Sequence, residues 1–452
     1  MKIPESGYHI LSKSTFMYGC QCPKRLWLHK KRPEVRDEED EAQTAIFQAG
    51  TDVGLLARQL FPGGVDASPP DPFQYRKSVA DTFNLVQSGA TVIYEAAFQY
   101  QGVLAAVDIL VKSRNKWIAY EVKSTGSVKD PHKLDAALQY YVIANAGLQL
   151  DDFCILHLNT DYVRFGELDL KELFTPTSVL DEVKEQQPFI ESKIPELKQL
   201  LQRKKEPAIE PGDHCFKPYD CNFYGYCTTG MEEEEDDYGE PYINKDEIRY
   251  FVKELEYPLH FMDFETWMAA VPEQDGHWPF RQVPFQFSLH IRQRKGKPEQ
   301  HLHYLAQGPH VHHREFAERL VEAVGPSGSV LVYNKTFENS ILNHLKAEFE
   351  DLTEAIESIQ DRIVDLMVPF RKHYRLPEMQ GSYSIKYVLP ALVPELSYEE
   401  LEIGNGANAS SAFYNLKLSD EEQTWKIREA LLKYCELDSL AMVKILDVLN
   451  RV

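Results

Sequence analysis

The positions of the cysteines constrain this chain more than any other feature of its sequence. Cys215, Cys221 and Cys227 follow one another with five residues between each and the next, and Cys20 and Cys22 lie near the start of the chain. In a reducing compartment, clustered cysteines are more often metal ligands than disulfides. Thiolates select zinc or iron–sulfur clusters. The three distal cysteines, with one proximal partner, therefore predict a metal centre that joins the first helix to a segment far downstream.

The spacing bears on which metal this centre holds. Zinc ribbons use closely spaced pairs of cysteines, and the chain has no such pair in the distal group. We therefore expect an iron–sulfur cluster, with zinc as the alternative and free buried thiols as a third possibility. Cys154 and Cys435 lie in apolar periodic segments, and we expect them in the core.

Length and composition set the class of protein. The chain has 452 residues, enough for two domains, and its 43% hydrophobic and 12% aromatic content is that of a globular protein. It contains no apolar run of about 18 residues, and its first residues do not resemble a leader sequence. We expect a soluble, cytoplasmic protein with no membrane partner. The net charge of −21 opposes sequence-independent nucleic-acid binding, although two acidic runs account for part of it.

The organisation along the chain predicts an α/β protein of two domains. We assign the first domain to residues 1–229, an acidic linker to 230–244 and the second domain to 245–452. In the first domain the sequence predicts helices at 16–30, 42–61, 133–146 and 178–205, and strands at 91–100, 103–112, 116–124 and 153–158. In the second it predicts strands at 259–264, 285–292 and 330–333, and a helix at 419–449 that a capping box of Ser419 and Glu422 begins.

The first domain carries carboxylates on neighbouring predicted strands. Asp108 lies on one strand and Glu121 on the next, and a hairpin would bring them together. Alternation places Glu121 and Lys123 on one face. Carboxylates bind the hard divalent cations that activate water for phosphodiester hydrolysis. We expect Lys123 to orient the water or hold the phosphate, Glu95 to add a ligand and Gln139 to contact nucleic acid or water.

This first constellation resembles the PD-(D/E)xK nucleases of the RecB type, particularly the CRISPR-associated exonucleases and the AddB nuclease domain. The match is carried by Ser14, Tyr18, Cys22-Pro23-Lys24-Arg25, Asp108, Glu121-Val122-Lys123 and Gln139. The resemblance implies a restriction-endonuclease-like core and a [4Fe–4S] cluster, with Cys22 rather than Cys20 as the fourth ligand beside Cys215, Cys221 and Cys227. Many relatives have a metal-binding His near the position of Gly50, and this chain has none there, which implies weaker metal binding, reliance on Glu95 or a degraded site.

The second domain carries another set of carboxylates. Asp263 and Glu265 alternate at the end of an apolar strand, so that both lie on one face. Glu338 follows a strand and a polar turn. Tyr434 and Asp438 are four residues apart on the final helix and share a face. Four carboxylates from separate elements can hold two divalent ions about 4 Å apart, with Tyr434 orienting the attacking water.

This second set resembles the DEDD 3′–5′ exonucleases, in the subgroup whose third motif is Tyr-x-x-x-Asp. The resemblance implies a ribonuclease H-like fold for residues 245–452, which are also similar to a bacterial domain of unknown function found behind RecB-like nucleases. Asp365 and Ser384-Ile385-Lys386 fall where relatives have similar residues. Glu338 departs from the pattern, since relatives have Asp there.

Together these observations predict a metal-dependent nuclease that uses Mg²⁺ or Mn²⁺. We expect it to hydrolyse single-stranded DNA or DNA ends, with RNA also possible, in repair, phage defence or CRISPR-linked processing. The alternative is a catalytically impaired module that binds nucleic acid or a partner without cutting it. We interpret the histidines at 301, 303, 310, 312 and 313 as exposed loop residues rather than ligands.

Overall fold

The computed structural model describes residues 1–5, 7–37, 41–71, 74–114, 116–229, 239–308, 313–398 and 401–452, with the backbone alone for residues 41–49. The chain divides into two compact units: residues 1–231 with 269–281, and residues 232–268 with 282–452. Both units combine helices with mixed sheets, as the α/β prediction requires. In the described part of the chain, no helix is both long enough and apolar enough to cross a membrane.

The first unit is built on a seven-stranded sheet. Its strands are β1 (Leu11–Ser12), β2 (Val65–Asp66), β3 (Val92–Tyr100), β4 (Val103–Ser113), β5 (Lys116–Lys123), β6 (Leu150–Leu158) and β7 (Phe174–Ser178). They run in the order β2-β3-β4-β5-β6-β7, with β1 beside β4. The strands β3, β4 and β5 form an antiparallel meander, and β6 is parallel to β5.

Nine helices accompany this sheet in the described residues. They are α1 (Lys13–Gln21), α2 (Pro23–Lys31), α3 (Glu41–Arg58), α4 (Tyr75–Ser88), α5 (Asp130–Asn145), α6 (Leu170–Leu173), α7 (Leu180–Glu185), α8 (Gln187–Gln202) and α9 (Tyr224–Thr228). Because β5 and β6 are parallel, the chain must cross over between them, and α5 is that crossover. Its fully buried Leu138, Val142 and Ile143 pack in the same core as Val107 and Leu110 of β4.

The structure corrects two helix predictions in this unit. The helix expected at 16–30 is interrupted at Cys22, whose backbone is extended with φ −154°. Pro23 explains the break, since proline disfavours a helical residue before it and is well suited to the first turn of a new helix. The helical segment expected at 178–205 contains the end of β7 and two helices, α7 and α8, that meet at Gln186.

The second unit contains a five-stranded sheet and a small ribbon. Its strands are β8 (Tyr242–Ile243), β9 (Leu259–Trp267), β10 (Val283–Arg292), β11 (Gln300–Leu305), β12 (Val330–Val332), β13 (Ile363–Asp365) and β14 (Tyr374–Arg375). The main sheet has the order β11-β10-β9-β12-β13. Here β9, β10 and β11 are antiparallel, while β12 is parallel to both β9 and β13. The ribbon pairs β8 with β14.

Helices cover both faces of the main sheet. They belong to the set α10 (Lys245–Lys253), α11 (His313–Val324), α12 (Lys335–Glu348), α13 (Thr353–Asp361), α14 (Val368–Lys372), α15 (Ile385–Leu392), α16 (Gly406–Asn415) and α17 (Glu421–Leu449). Met262 and Phe264 of β9 pack with Phe316 of α11 in one core. Asp263 alternates with them and therefore faces the other way, where the Cys435 thiol of α17 donates to its Oδ2 at 3.8 Å.

The final helix begins one residue later than the predicted capping box. Asp420 is its N-cap, and Oδ1 of Asp420 accepts from the backbone N–H of Gln423 at 2.8 Å while the Gln423 side chain accepts in return. The Ser419 hydroxyl donates instead to the carbonyl of Asn415. The predicted pair Ser419 and Glu422 is therefore wrong, because a neighbouring Asp provides the acceptor that the helix terminus uses.

The boundary regions also differ in part from the sequence assignment. Residues 269–281 were assigned to the second domain and lie in the first unit, where the Arg164 guanidinium donates to the carbonyls of Pro272 and Glu273. Within the predicted linker, residues 230–238 lie outside the described residues. Its later part includes β8, which is a paired strand.

Candidate active site

Three carboxylates of the second unit meet at the point where β9 passes beneath α17. Asp263 and Glu265 lie on the same face of β9, and Asp438 reaches them from α17. One ligand oxygen from each lies within 4.8 Å of the other two. Three acidic oxygens at this separation are a set that a divalent cation can bridge. The sequence predicted all three residues, and the fold brings them together.

Burial and mutual repulsion change the protonation of this set. Burial, reinforced by Asp438 and Glu265, raises the pKa of Asp263 well above its usual range. Burial and Asp438 do the same to the pKa of Glu265. Burial also raises the pKa of Asp438, to about 6, although two hydrogen bonds oppose the rise. Like charges in a buried site repel one another, which favours the protonated acids. A bound cation would offset that repulsion and favour the ionised form of all three.

Two tyrosines hold Asp438. The Tyr398 hydroxyl donates to Oδ1 of Asp438 at 2.6 Å, and Tyr434, four residues before Asp438 on α17, also hydrogen-bonds to it. Both tyrosines are buried. Tyr434 was predicted from the i, i+4 pattern. Tyr398 was missed, because it lies 40 residues away on a segment with no motif.

Lys386 supplies a positive charge beside the carboxylates. Burial raises the pKa of both Asp438 and Glu265. The charge of Lys386 acts against burial and lowers both pKa values. Its ammonium donates to the carbonyl of Gly404 at 2.7 Å. The sequence noted this residue only through a resemblance, and the structure gives it an electrostatic role.

Glu338 lies beside the set rather than in it. It is in the first turn of α12 and is 3% exposed, and its Oε2 has no hydrogen-bond partner among the residues that the structure describes. Burial, with the nearby charge of Asp365, raises the pKa of Glu338 to about 8. The charge of Glu338 in turn contributes to the raised pKa of Asp263. This orphaned oxygen is the kind of group that a ligand or cation would satisfy.

A polar network continues from the carboxylates along β10 and β11. Ser288 pairs with Asp263 across the strands, and its hydroxyl contacts both Ser439 Oγ at 2.6 Å and His301 Nε2 at 2.9 Å. His290 Nδ1 contacts the same Ser439 at 2.8 Å. His301 therefore lies on a strand and is half-buried, so that the prediction of an exposed loop histidine is wrong for it.

Another three-ligand set lies in this network. One ligand atom from each of His290, His301 and Glu436 lies within 4.8 Å of the others. The two imidazole rings are stacked, with centroids 4.5 Å apart and an angle of 20° between their planes. Since a metal binds imidazole in the plane of the ring, nearly parallel stacked rings do not direct their nitrogens to one ion. His303 also lies on β11, His313 is buried in α11, and His310 and His312 lie outside the described residues.

The predicted residues of the first unit are side by side on three strands. Ile109 of β4 pairs with Tyr120 of β5, so that Asp108 and Glu121 are the next residues along the two strands. Glu95 of β3 lies opposite Asp108, between the pairs formed by Tyr94 and Ala96. Glu95 has φ 52°, a left-handed conformation that interrupts the ladder at this point. The predicted pairing of β4 with β5 is confirmed.

Two lysines occupy the centre of this first site. The ammonium groups of Lys13 and Lys123 lie 2.6 Å and 2.7 Å from the same oxygen, Oε1 of Glu121. Burial raises the pKa of Glu121, but the two lysines outweigh burial and lower this pKa below its usual range. Burial, with the charge of Glu121, raises the pKa of Asp108 to about 8. Lys13 was missed because it lies more than a hundred positions upstream of Glu121.

A helix completes the network from the other side. Gln139 of α5 donates from Nε2 to Oε2 of Glu121 at 2.8 Å and to Asp135 at 3.0 Å. Asp135 also accepts from Lys123 at 2.7 Å. Asp135 was missed, although its position four residues before Gln139 on one helix face was available as a signal. Gln139 Oε1 is buried and has no hydrogen-bond partner in the described part of the chain.

Glu95 is directed to a different partner. Arg58 of α3 donates to Glu95 at 2.9 Å and to Asp66 at 2.7 Å. Among the described residues, the carboxylates of this unit form no three-ligand set within 4.8 Å. The first site is therefore arranged as an ion-pair network, and the second as a cluster of facing acids.

The four predicted cysteines line one pocket. Cys22, at the break between α1 and α2, lies with Cys215, Cys221 and Cys227 around a cavity that Lys24 and Arg25 also line. Burial, with the neighbouring thiols of Cys22 and Cys215, raises the pKa of Cys221 and of Cys227.

Cys20 faces elsewhere, toward Lys193 and Glu196 of α8, and burial raises its pKa to about 12. Cys154 and Cys435 are buried, as predicted. Among the described residues, no three cysteine sulfurs lie within 4.8 Å of one another, whereas the sulfurs around a single tetrahedral zinc are about 4 Å apart. The thiols are thus not arranged as a ready tetrahedral set for one zinc ion.

Comparisons with known proteins add a limited amount to this geometry. Residues 260–384 match a family described as "Domain of unknown function (DUF2779)", a segment that includes Asp263, Glu265 and Glu338. The chain is similar to "Uncharacterized protein UU173" of Ureaplasma parvum serovar 3, with 29% identity over 210 residues, which are 41% of this chain and 30% of that protein. The chain thus matches less than a third of that curated relative's length.

One solved structure also resembles part of the chain. "Crystal structure of SSO0001" is 14% identical and covers 46% of this chain and 81% of its own, with a TM-score of 0.23. A score this low carries no argument about the fold.

Proposed function

We propose that this protein is a metal-dependent nuclease whose principal active site is the carboxylate cluster of the second unit. The observation that carries the proposal is the set of Asp263, Glu265 and Asp438, with ligand oxygens within 4.8 Å of one another. Buried acids with raised pKa values are costly to keep together unless a cation joins them. The ribonuclease H-like fold and the DEDD class belong to the same proposal.

The residues of the cluster have separate roles in this proposal. Asp263, Glu265 and Asp438 would hold Mg²⁺ or Mn²⁺, with Glu338 at the side of the set. A divalent cation there would supply a Lewis acid that activates water and neutralises charge on a phosphoryl oxygen. Tyr434 and Tyr398 orient Asp438 through their hydrogen bonds. Lys386 contributes positive charge beside Glu265.

The first unit supports a PD-(D/E)xK core as a second, weaker part of the proposal. Asp108, Glu121, Lys123 and Gln139 lie in one network, as such a site needs. The ammonium of Lys13 occupies an oxygen of Glu121 that metal binding would use. Helix α3 has no histidine around Gly50. We therefore propose that metal binds less tightly here than in the second unit.

We also propose that Cys22, Cys215, Cys221 and Cys227 bind a [4Fe–4S] cluster with a structural role. Their common pocket supports a cluster, and among the described residues no three of their sulfurs lie within 4.8 Å of one another, as a single zinc ion would need. The Gln21 side chain donates to the carbonyls of His214 and Tyr219, which lie one and two residues before Cys215 and Cys221, so that the cluster would reinforce an existing connection.

The alternative function is a module that binds nucleic acid without cutting it. The observation in its favour is the pair of lysines on Glu121, which neutralises the first site without a metal. It applies to the first unit only, since among the described residues no lysine forms a salt bridge with Asp263, Glu265 or Asp438 of the second unit.

The test is a cleavage assay with the full chain. Wild type, Asp108→Ala and Asp263→Ala would be incubated with end-labelled single-stranded DNA and RNA in manganese, beside Asp361→Ala as an exposed control. We expect Asp263→Ala to lose about 100-fold or more in rate, because several kcal/mol of charge stabilisation depend on the cluster. Asp108→Ala should lose less. No cleavage by wild type, or equal cleavage by Asp263→Ala, would overturn the proposal and favour the binding module.

A further inference from the structure

A cavity of the second unit differs in chemical character from the cysteine pocket of the first unit. It has a volume of about 320 Å³. Three tyrosines and three cations line it: Tyr242, Tyr374, Tyr383, Arg371, Lys372 and Arg375. We call it the tyrosine cleft. Aromatic rings beside positive charges are the combination that binds single-stranded nucleic acids.

Short elements build the cleft. Helix α14 ends at Lys372 and strand β14 follows it, so that three cations fall within five consecutive residues. The strand pairs with β8 so that Arg375 lies opposite Tyr242. The side chains of Tyr242 and Tyr383 are 47% and 38% exposed, which leaves their rings open to a ligand. The fold thus presents the rings and the cations on one surface.

The three cations lie apart from the salt bridges of the described residues. In the part of the chain that the structure describes, no carboxylate forms a salt bridge with Arg371, Lys372 or Arg375. Other exposed cations of this unit are paired, such as Arg314 with Asp351 and Glu318. Glu378 lies near the cleft, where its charge adds to burial in raising the pKa of Tyr374. Unpaired cations in a chain of net charge −21 are available for an anionic ligand.

The cleft adjoins the carboxylate cluster. Strands β9, β12 and β13 are parallel, and their carboxyl ends lie at the same edge of the sheet, where α/β proteins bind ligands. Asp365 ends β13, and α14 begins three residues later. Tyr333, which follows β12, donates from its hydroxyl to the carbonyl of Tyr383 at 2.9 Å. Burial and Asp365 raise the pKa of Tyr333, and Arg371 is close enough to oppose that rise.

We propose that the tyrosine cleft binds the strand of a single-stranded nucleic acid on its way to the Asp263 cluster. Arg371, Lys372 and Arg375 neutralise its phosphates, and the rings of Tyr242 and Tyr383 stack on its bases. Only unpaired bases can reach these rings, so the cleft selects single strands over duplexes. That the strand runs toward the cluster rests on the proposed function. The binding of a single strand in the cleft does not.

The test measures binding without cleavage. A fluorescein-labelled oligothymidine of about 12 nucleotides would be titrated with the full chain in EDTA, and its anisotropy followed at several salt concentrations. Removing the charges, in Arg371→Ala with Lys372→Ala and Arg375→Ala, should weaken binding at least 10-fold. It should also reduce the salt slope by about 2, since each phosphate contact on a single strand contributes about 0.7.

A matched control separates the cleft from overall charge. Arg314→Ala with Arg319→Ala and Lys426→Ala removes the same charge from paired surface positions of the same unit. It should change binding less than 2-fold. An equal loss in both triple variants would overturn the cleft, because net charge alone would then explain the result.

Substitutions of Tyr383 test whether its ring stacks on the bases. Tyr383→Ala should weaken binding by roughly 5-fold or more, while Tyr383→Phe, which keeps the ring, should bind as wild type does. Unchanged melting temperatures would establish that both variants fold. Equal affinity for a duplex of the same length, or no effect of Tyr383→Ala, would overturn single-strand stacking. Binding that depends on the cleft, in a protein that cuts nothing, would refute the proposed nuclease and leave the cleft standing.

Discussion

The Tyr398 hydroxyl donates a hydrogen bond of 2.6 Å to Oδ1 of Asp438 across 40 residues of chain. This bond and that of Tyr434 oppose the burial that raises the pKa of Asp438, and they leave it at about 6. The cluster thus contains one acid that ionises near neutral pH beside two, Asp263 and Glu265, whose pKa values are raised further.

Tyr398→Phe should shift the pH dependence of cleavage. Without the donor the pKa of Asp438 rises, so that the acidic limb of the rate profile in manganese moves upward by about one pH unit, the value of a hydrogen bond to a charged group. Tyr387→Phe, at an exposed position, should leave the profile unchanged. An unshifted limb in Tyr398→Phe would contradict the role given to Tyr398.

Glu338→Gln should change how stability depends on pH. The pKa of Glu338 is raised from 4.5 to about 8, so the protonated form favours folding below pH 4.5 and this contribution is lost as the pH rises through 8. In the metal-free protein, the melting temperature should fall between pH 5 and 8, and should fall less in Glu338→Gln. Glu254→Gln, at the surface, should behave as wild type. Parallel curves for wild type and Glu338→Gln would refute this.

Lys13→Met should destabilise the first unit. Lys13 lowers the pKa of Glu121, so its removal weakens a contribution to stability that is present at neutral pH and is lost as the pH falls through the depressed pKa. The expected loss at pH 7 is about 1–3 kcal/mol in the free energy of unfolding, measured by urea denaturation. Lys171→Met removes an exposed lysine and should cost little. Equal urea midpoints for wild type and Lys13→Met would exclude a structural role for the contact between Lys13 and Glu121.

Cys22→Ser and Cys20→Ser should differ in iron content. Cys22 lines the pocket of the other three cysteines, and Cys20 faces α8. After anaerobic reconstitution, Cys22→Ser should lose iron and broad visible absorbance, and Cys20→Ser should keep both. A colourless wild type that holds zinc would contradict the cluster.

Asp420→Ala should destabilise the final helix more than Ser419→Ala does. Asp420 is the N-cap, and losing a cap of this kind costs about 1 kcal/mol, while Ser419 lies outside the box and should cost less than about 0.5 kcal/mol. The comparison is made by thermal or urea unfolding. The reverse order would mean that the helix begins where the sequence alone placed it.

Local patterns in the sequence were enough to find most of the elements and the acids. Alternation along β9 put Asp263 and Glu265 on one face, and helical spacing put Tyr434 beside Asp438, because both periodicities are fixed by backbone geometry. The same local information misplaced the start of α17 by one residue, because Ser419 and Asp420 compete for the N-cap position. The break at Cys22 was missed although Pro23 is a local signal for it.

What the sequence by itself determined was therefore which side chains share a face within one strand or helix. Only the tertiary structure decided which distant groups meet. It brought Lys13 to Glu121, Tyr398 to Asp438, and Arg371 near Tyr333. These contacts depend on how the elements pack, and no local period in the sequence records them. The charge state of each acid follows from that packing, because burial and opposing charges act only in the folded chain.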